Sequence, residues 1–133
     1  MFKARQIMTR SLITVRENTP LAEAMNLLVD KNIAGLPVVT EDMRLLGIVS
    51  EKDMLSLLYK PQSKKPNLVS EVMTRDVVHF NEFDDLFDIR ECFIENNFRR
   101  VPILSKGKLT VIISRRDIIK FIIKLRNNSG RPL

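Results

Sequence analysis

The chain has 133 residues, 44% of them apolar and 29% charged, with a formal net charge of +6, which allows one compact domain or two small halves that must share a core. No apolar run approaches the ~20 residues of a membrane-spanning helix, residues 1–10 hold no apolar stretch of a secretory signal, and the single cysteine, Cys92, excludes an internal disulfide framework and suits a reducing cytoplasm. The charge is lopsided: ten Lys or Arg against one acid from Arg99 onward make that segment +9 and leave −3 for the rest, a distribution that fits an anionic partner such as nucleotide phosphate, nucleic acid or an acidic protein face.

Residues 11–15 read as a brief strand. Thr19 offers an N-cap oxygen and Pro20 an N1 position, where its missing N–H is not needed. Leu21, Ala24, Met25 and Leu28 follow at helical spacing to an end near Lys31 and Asn32. Pro37 starts a β-branched run, which predicts an edge strand or one with a break. TEDMR at 40–44 is a polar turn, LLGIV at 45–49 is the returning hairpin strand, and a helix is predicted over 51–59. KPQSKKPN at 60–67, with two prolines and three lysines, reads as a linker.

The same order then returns. A helix is predicted over 84–96 with Leu86, Ile89 and Phe93 as its apolar stripe, opened by Glu82, Asp84, Asp85 and Asp88 where the helix dipole favours negative charge. Lys106 and Gly107 make a hairpin turn, and a last helix runs over 115–126. An offset of 64 to 65 residues aligns the halves: IMTR at 7–10 with VMTR at 72–75, AGLPVV at 34–39 with RRVPIL at 99–104, and GIVSEKDML at 47–55 with VIISRRDII at 111–119. The expected fold class is α/β in the mixed α+β sense, two β-α-β-β-α repeats packed face to face about a pseudo-twofold axis with a cleft between them. The expected domains are repeat 1 over 1–60, a linker over 61–69, repeat 2 over 70–126 and a flexible tail over 127–133.

The recurring Ser-x-x-Asp, at Ser50 and Asp53 and again at Ser114 and Asp117, has two readings. As a capping box it satisfies two otherwise unpaired backbone donors, although the box prefers Glu or Gln at its fourth position. As a ligand motif it sets a hydroxyl and a carboxylate at a helix N-terminus, which suits phosphate, while the carboxylate can accept both ribose hydroxyls. Lys52, Arg115 and Arg116 stand near enough in sequence to neutralise phosphate charge.

Taken in order, M-T, N-T-P-L-x-E-A, G-L-P-V-V and G-I-V-S-x-x-D in the first copy, with V-M-T, R-R-V-P-I and I-I-S-R-R-D in the second, resemble a tandem pair of CBS (cystathionine β-synthase) domains, a Bateman module. The resemblance covers nearly the whole chain. It implies a stand-alone regulatory module, not an enzyme, that binds an adenosine-containing ligand (AMP, ADP, ATP or S-adenosylmethionine) between the repeats and signals to an unknown regulated protein. It also implies a homodimer formed through helix faces. On the family pattern Ser114 and Asp117 take phosphate and ribose while Leu12, Ile13, Ile33, Ala34 and Pro37 enclose adenine. The mirror site uses Ser50 and Asp53 with Val77, Val78, Phe98, Arg99 and Pro102. Arg99 and Arg100 stand where some members place phosphate-reaching cations, whereas the first copy has Ala34 and Gly35, so the two sites should differ.

Other chemistry finds little support. His79 is the single histidine and has no companion ligands at metal spacing. Cys92 has no histidine to activate it. Four glycines and no Walker-type loop leave nucleotide hydrolysis without visible machinery. The basic final third keeps nucleic-acid binding open as an alternative, with a purely structural dimerisation module as a third reading. An aromatic content of 6% without tryptophan argues against base stacking.

Overall fold

Pro37, the residue least suited to a strand, sits in the middle of one, and the reason shows how the first half is built. In the computed structural model, which describes residues 1–7, 12–61 and 65–129, β1 (Gly35–Val39) pairs antiparallel with β2 (Leu45–Ser50), and Pro37 faces Ile48. The Ile48 amide and carbonyl both turn away from Pro37 to Thr74, at 2.9 and 2.8 Å. Pro37 needs no N–H in that pair, and its carbonyl instead accepts from Val15 at 3.0 Å. The expected edge is met, since β1 pairs only with β2 in a two-stranded sheet and has a lone bridge from Val15 on its other side. Pro37 sits mid-strand at a pair that exchanges no hydrogen bonds. The strand predicted over 11–15 is, in its described part, a single parallel bridge from Val15 to Val38. Ser11 lies outside the described residues, as do Met8, Thr9 and Arg10 of the first M-T motif, linker residues 62–64 and tail residues 130–133.

Helix α1 (Leu21–Asp30) starts one residue later than its sequence suggests. Pro20 is the N-cap, its carbonyl accepting from Glu23 and Ala24, while the Thr19 hydroxyl turns back to accept the Arg16 amide at 2.9 Å. The helix buries Leu21, Ala24 and Leu28. It ends in a left-handed Asn32 (φ 52°), with Ile33 N–H bonded to Leu28 O and Asn32 N–H to Val29 O. These are the two bonds of a Schellman motif.

Helix α2 covers Glu51–Leu55 only, shorter than the span to residue 59 expected from sequence. Ser56 Oγ donates to the Asp53 carbonyl at 2.7 Å and takes up that acceptor, after which Leu57, Leu58 and Lys60 make three-residue turns. The core of this half comprises Val15, Leu21, Ala24, Leu28, Leu36, Val38, Val49, Val69 and Met73. Residues 67–74 are part of it: Leu21 N–H bonds Asn67 O, Val69 N–H bonds Thr19 O and Ser70 N–H bonds Glu17 O.

The second half repeats the plan with different edges. Strand β3 (Phe80–Asn81) runs parallel to β4 (Arg100–Ser105), which pairs antiparallel with β5 (Lys108–Ser114). Pro102 again faces an isoleucine, Ile112. Lys106 (φ 53°) and Gly107 (φ 80°) form the two-residue turn expected from sequence, with both positive φ angles of a type I′ hairpin. Helix α3 (Leu86–Glu95) is capped by Asp85, whose carboxylate accepts the Phe87 amide at 3.0 Å. Helix α4 runs Arg115–Ser129, so residues 127–129 of the expected tail are helical.

The chain divides into two compact units whose limits differ from those of the repeats. Ile13–Val77 forms one; Met1–Leu12 and Val78–Leu133 form the other. The N-terminal segment therefore folds with the second repeat. Ala4 N–H bonds Asp84 O, Arg5 N–H bonds Glu82 O, and Leu86 N–H bonds Phe2 O at 2.8 Å. Ala4 and Ile7 join Leu86, Ile89, Phe93, Val101, Ile103, Val111 and Ile113 in its core, and Phe2 stacks edge-on against Phe121 at 5.1 Å.

Candidate functional site

Both Ser-x-x-Asp motifs sit where a hairpin's second strand passes into a helix. Ser50 is the extended N-cap of α2 and is register partner to Gly35; Ser114 ends β5 opposite Arg100. In each, the aspartate Oδ2 accepts the serine amide at 2.8 Å and the serine hydroxyl at 3.0 Å, and the serine oxygen accepts the aspartate amide at 3.3 Å (Ser50) or 3.2 Å (Ser114). These are closed capping boxes, and aspartate makes the reach that the sequence pattern reserves for Glu or Gln. The following residue ties each box to the lead of β1 or β4: Glu51 N–H bonds Ala34 O at 2.9 Å, and Arg115 N–H bonds Arg99 O at 3.1 Å. Among the described residues each carboxylate spends only Oδ2 in its box; Oδ1 is left over as an acceptor.

The remaining sequence candidates fall into two sets, one in each unit. With Ser50 and Asp53 lie exposed Lys52 and half-buried Ile13, Ile33, Ala34 and Val77. With Ser114 and Asp117 lie half-buried Leu12 and exposed Val78, Phe98, Arg99, Arg100 and Arg116. Pro37 and Pro102 are fully buried, so they present no surface to a ligand and act as packing residues of their strands.

Arg115 departs furthest from its expected phosphate role. Its Nε donates to Phe98 O at 2.8 Å and its Nη2 to Phe93 O at 3.1 Å and Asn96 O at 3.0 Å, with the guanidinium carbon 6.0 Å from the Phe93 ring centroid. Nε and Nη2 are thus engaged by backbone acceptors. Arg116 makes no hydrogen bond or ion pair among the described residues and is exposed.

The sequence also passed over two features. Gly47 lies under the Thr74 backbone so closely that an added Cβ would fall 2.4 Å from Thr74 O. Ser105 Oγ donates to Glu82 Oε2, joining the end of β4 to the residue after β3. Neither shows in local pattern, since both depend on segments brought together from afar. Burial pushes the Cys92 thiol up, and Asn96 Nδ2 bonds the Cys92 carbonyl beside it at 2.9 Å. Among the described residues no group of three or more His, Cys, Asp or Glu is placed to hold a metal ion, and no helix is long and apolar enough to cross a membrane.

Two units, each with a helix, a β-hairpin and a Ser-x-x-Asp cap that opens a second helix, define the class of protein. The family profile described as CBS domain matches residues 4–60 and 69–124. The chain belongs to the CBS-domain family, as a tandem pair.

The inosine-5'-monophosphate dehydrogenase of Thermoplasma acidophilum is 36% identical over 129 residues, which is 94% of this chain and 25% of that protein. The protein MJ1225 of Methanocaldococcus jannaschii is 31% identical over 118 residues, 89% of this chain and 42% of that one. The chain thus spans less than half of these relatives' length. The crystal structure of CBSX2 in complex with AMP, a CBS-pair protein from Arabidopsis thaliana, matches with a TM-score of 0.86 at 30% identity, covering 95% of this chain and 99% of that one.

Proposed function

We propose that this chain is a non-catalytic regulatory module that binds an adenosine-containing ligand (AMP, ADP, ATP or S-adenosylmethionine) and passes its occupancy to a partner protein. The observation that carries the reading is the Asp117 carboxylate. It is held in place by Ser114 through Oδ2 alone, so that Oδ1 remains to accept from a ribose. The Ser114 hydroxyl, the exposed Arg116 and the +9 charge of the final third supply the setting for phosphate. Half-buried Leu12, in the same unit, is apolar and suits adenine, as the family resemblance assigns it. Ser50, Lys52 and Asp53, with Val77, are the matching candidates in the other unit. The CBSX2 structure that this chain resembles holds AMP, which favours a nucleotide over nucleic acid.

A homodimer through helix faces is part of the reading, supported by exposed Ile119, Ile122 and Ile123 on α4 and by Val29 on α1. The free thiol of Cys92 suits a reducing compartment such as the cytoplasm. Calorimetry of the protein against AMP, ADP, ATP and S-adenosylmethionine tests the proposal. Saturable binding of at least one is expected, and no binding by any of them would overturn it.

A further inference from the structure

The two repeats end their first helix by different means, and the difference reaches the ligand motif. In the first repeat α1 closes itself: Asn32 turns left-handed and the backbone satisfies Leu28 O and Val29 O. The matching residue in the second repeat, Asn97, has no positive φ, and the α3 C-cap Asn96 is extended at φ −127°, ψ 160°. No Schellman turn forms there, and carbonyls near the end of α3 would lack partners. Arg115 supplies them from its place in the Ser-x-x-Asp motif, through Phe93 O, Asn96 O and Phe98 O. Its own amide bonds Arg99 O. One residue therefore fastens the end of α3 and the 96–99 connection to the start of α4, by side chain and backbone at once. The first repeat has Glu51 at this position, which has no N–H fork to donate.

We infer that Arg115 is a positioning residue: it holds the Ser114–Asp117 motif and the 98–99 backbone in register for the ligand and does not itself touch phosphate, leaving Arg116 as the motif's phosphate cation. The inference rests on the adenosyl reading above. It makes the second motif the braced one and the first, on the five-residue α2, the looser of the pair.

The test measures AMP and adenosine affinity side by side for the wild type and for Arg115→Met, Arg115→Lys and Arg116→Met. Lysine keeps the charge but cannot span three carbonyls, and it serves if the methionine variant fails to fold. Both Arg115 variants should weaken AMP and adenosine by the same factor, roughly tenfold, the scale of one hydrogen bond to a charged group. Arg116→Met should weaken AMP and spare adenosine.

Loss of AMP alone in Arg115→Met, with AMP binding kept by Arg115→Lys, would make Arg115 a phosphate contact and overturn the inference. Wild-type affinities with only a lowered Tm would reduce Arg115 to packing and overturn it as well. If the wild type binds neither probe, the adenosyl reading falls and takes the ligand half of the inference with it. Hydrogen exchange then decides the clamp alone: faster exchange at the Arg115 amide in Arg115→Met supports it, and unchanged exchange removes it.

Discussion

Asp117 Oδ2 receives both donors of Ser114, the amide at 2.8 Å and the hydroxyl at 3.0 Å, and Asp53 receives those of Ser50 at the same two distances. Capping and ligand binding are therefore compatible in one carboxylate, because one oxygen closes the box and the other is left over. Asp53→Ala and Asp117→Ala should each lower stability by about 0.5–2 kcal/mol, the range for loss of a cap. At an occupied site the same change should also cost ~1.5–3 kcal/mol of ligand affinity. Denaturant melts and calorimetry on the two variants separate these effects. Reduced stability with unchanged affinity in both would leave the motif as a helix cap and nothing more.

Gly47 carries a prediction of a different kind. A methyl group there would meet Thr74 O at 2.4 Å, and that carbonyl is fixed by its bond from Ile48 N–H. The backbone cannot give way without opening that pairing. Gly47→Ala should destabilise the protein by about 1–3 kcal/mol, the usual penalty for overpacking. The aligned residue of the second repeat is Val111, whose side chain is buried, so Val111→Ala should act as an ordinary cavity mutation. A lower urea midpoint at constant m for Gly47→Ala is the expected result, and a wild-type midpoint would mean that the Thr74 segment yields.

Repeat order, both hairpins and both helix-starting motifs were legible in the sequence because each is a local signal: periodicity, a turn pair, a serine three residues before an aspartate. What escaped it was set by chain segments meeting from a distance. Pro37 marked an edge strand correctly, but the sequence does not show that its partner Ile48 spends its amide and carbonyl on Thr74. Arg115 read as a phosphate cation because its neighbours are cationic and follow a ligand motif. Its true partners are the carbonyls left open when Asn97 does not turn left-handed as Asn32 does. Helix α2 looked longer because Leu55, Leu57 and Leu58 are good helix formers, yet the Ser56 hydroxyl bonds the Asp53 carbonyl and the turns tighten.

Acid should loosen the second half at the start of α3. The Phe87 amide bonded to the Asp85 carboxylate holds its pKa below the ordinary range. The unfolded chain then binds a proton that the folded one refuses. The cap's contribution is present above the unfolded pKa, near pH 4, and is lost as pH falls through the folded value. Asp85→Asn should flatten the fall in Tm below about pH 4 relative to wild type, since asparagine can still cap but does not titrate. Parallel acid limbs for the two proteins would show that Asp85 contributes nothing to the slope. Asp42, lowered chiefly by the Thr40 hydroxyl in the first hairpin turn, shifts in the same direction and should account for part of the remaining slope.

The membership of the N-terminal segment in the second half can be tested by where its loss is felt. Ile7 is 8% exposed and belongs to the core with Leu86, Ile89, Val101 and Ile113, far along the chain. Ile7→Ala should cost about 2–4 kcal/mol, as a buried isoleucine truncation does. Native-state hydrogen exchange locates the damage, because compact units can open separately. Amides of β4 and β5, such as Val101 and Ile113, should exchange faster in the variant. Those of Val38 and Val49 should hold closer to their wild-type protection, since their core is built from Val15, Leu36 and residues of the 67–74 segment. If Val38 and Val49 were instead the first to lose protection, the segment's packing would lie with the first repeat, and the division at residues 12 and 78 would be wrong.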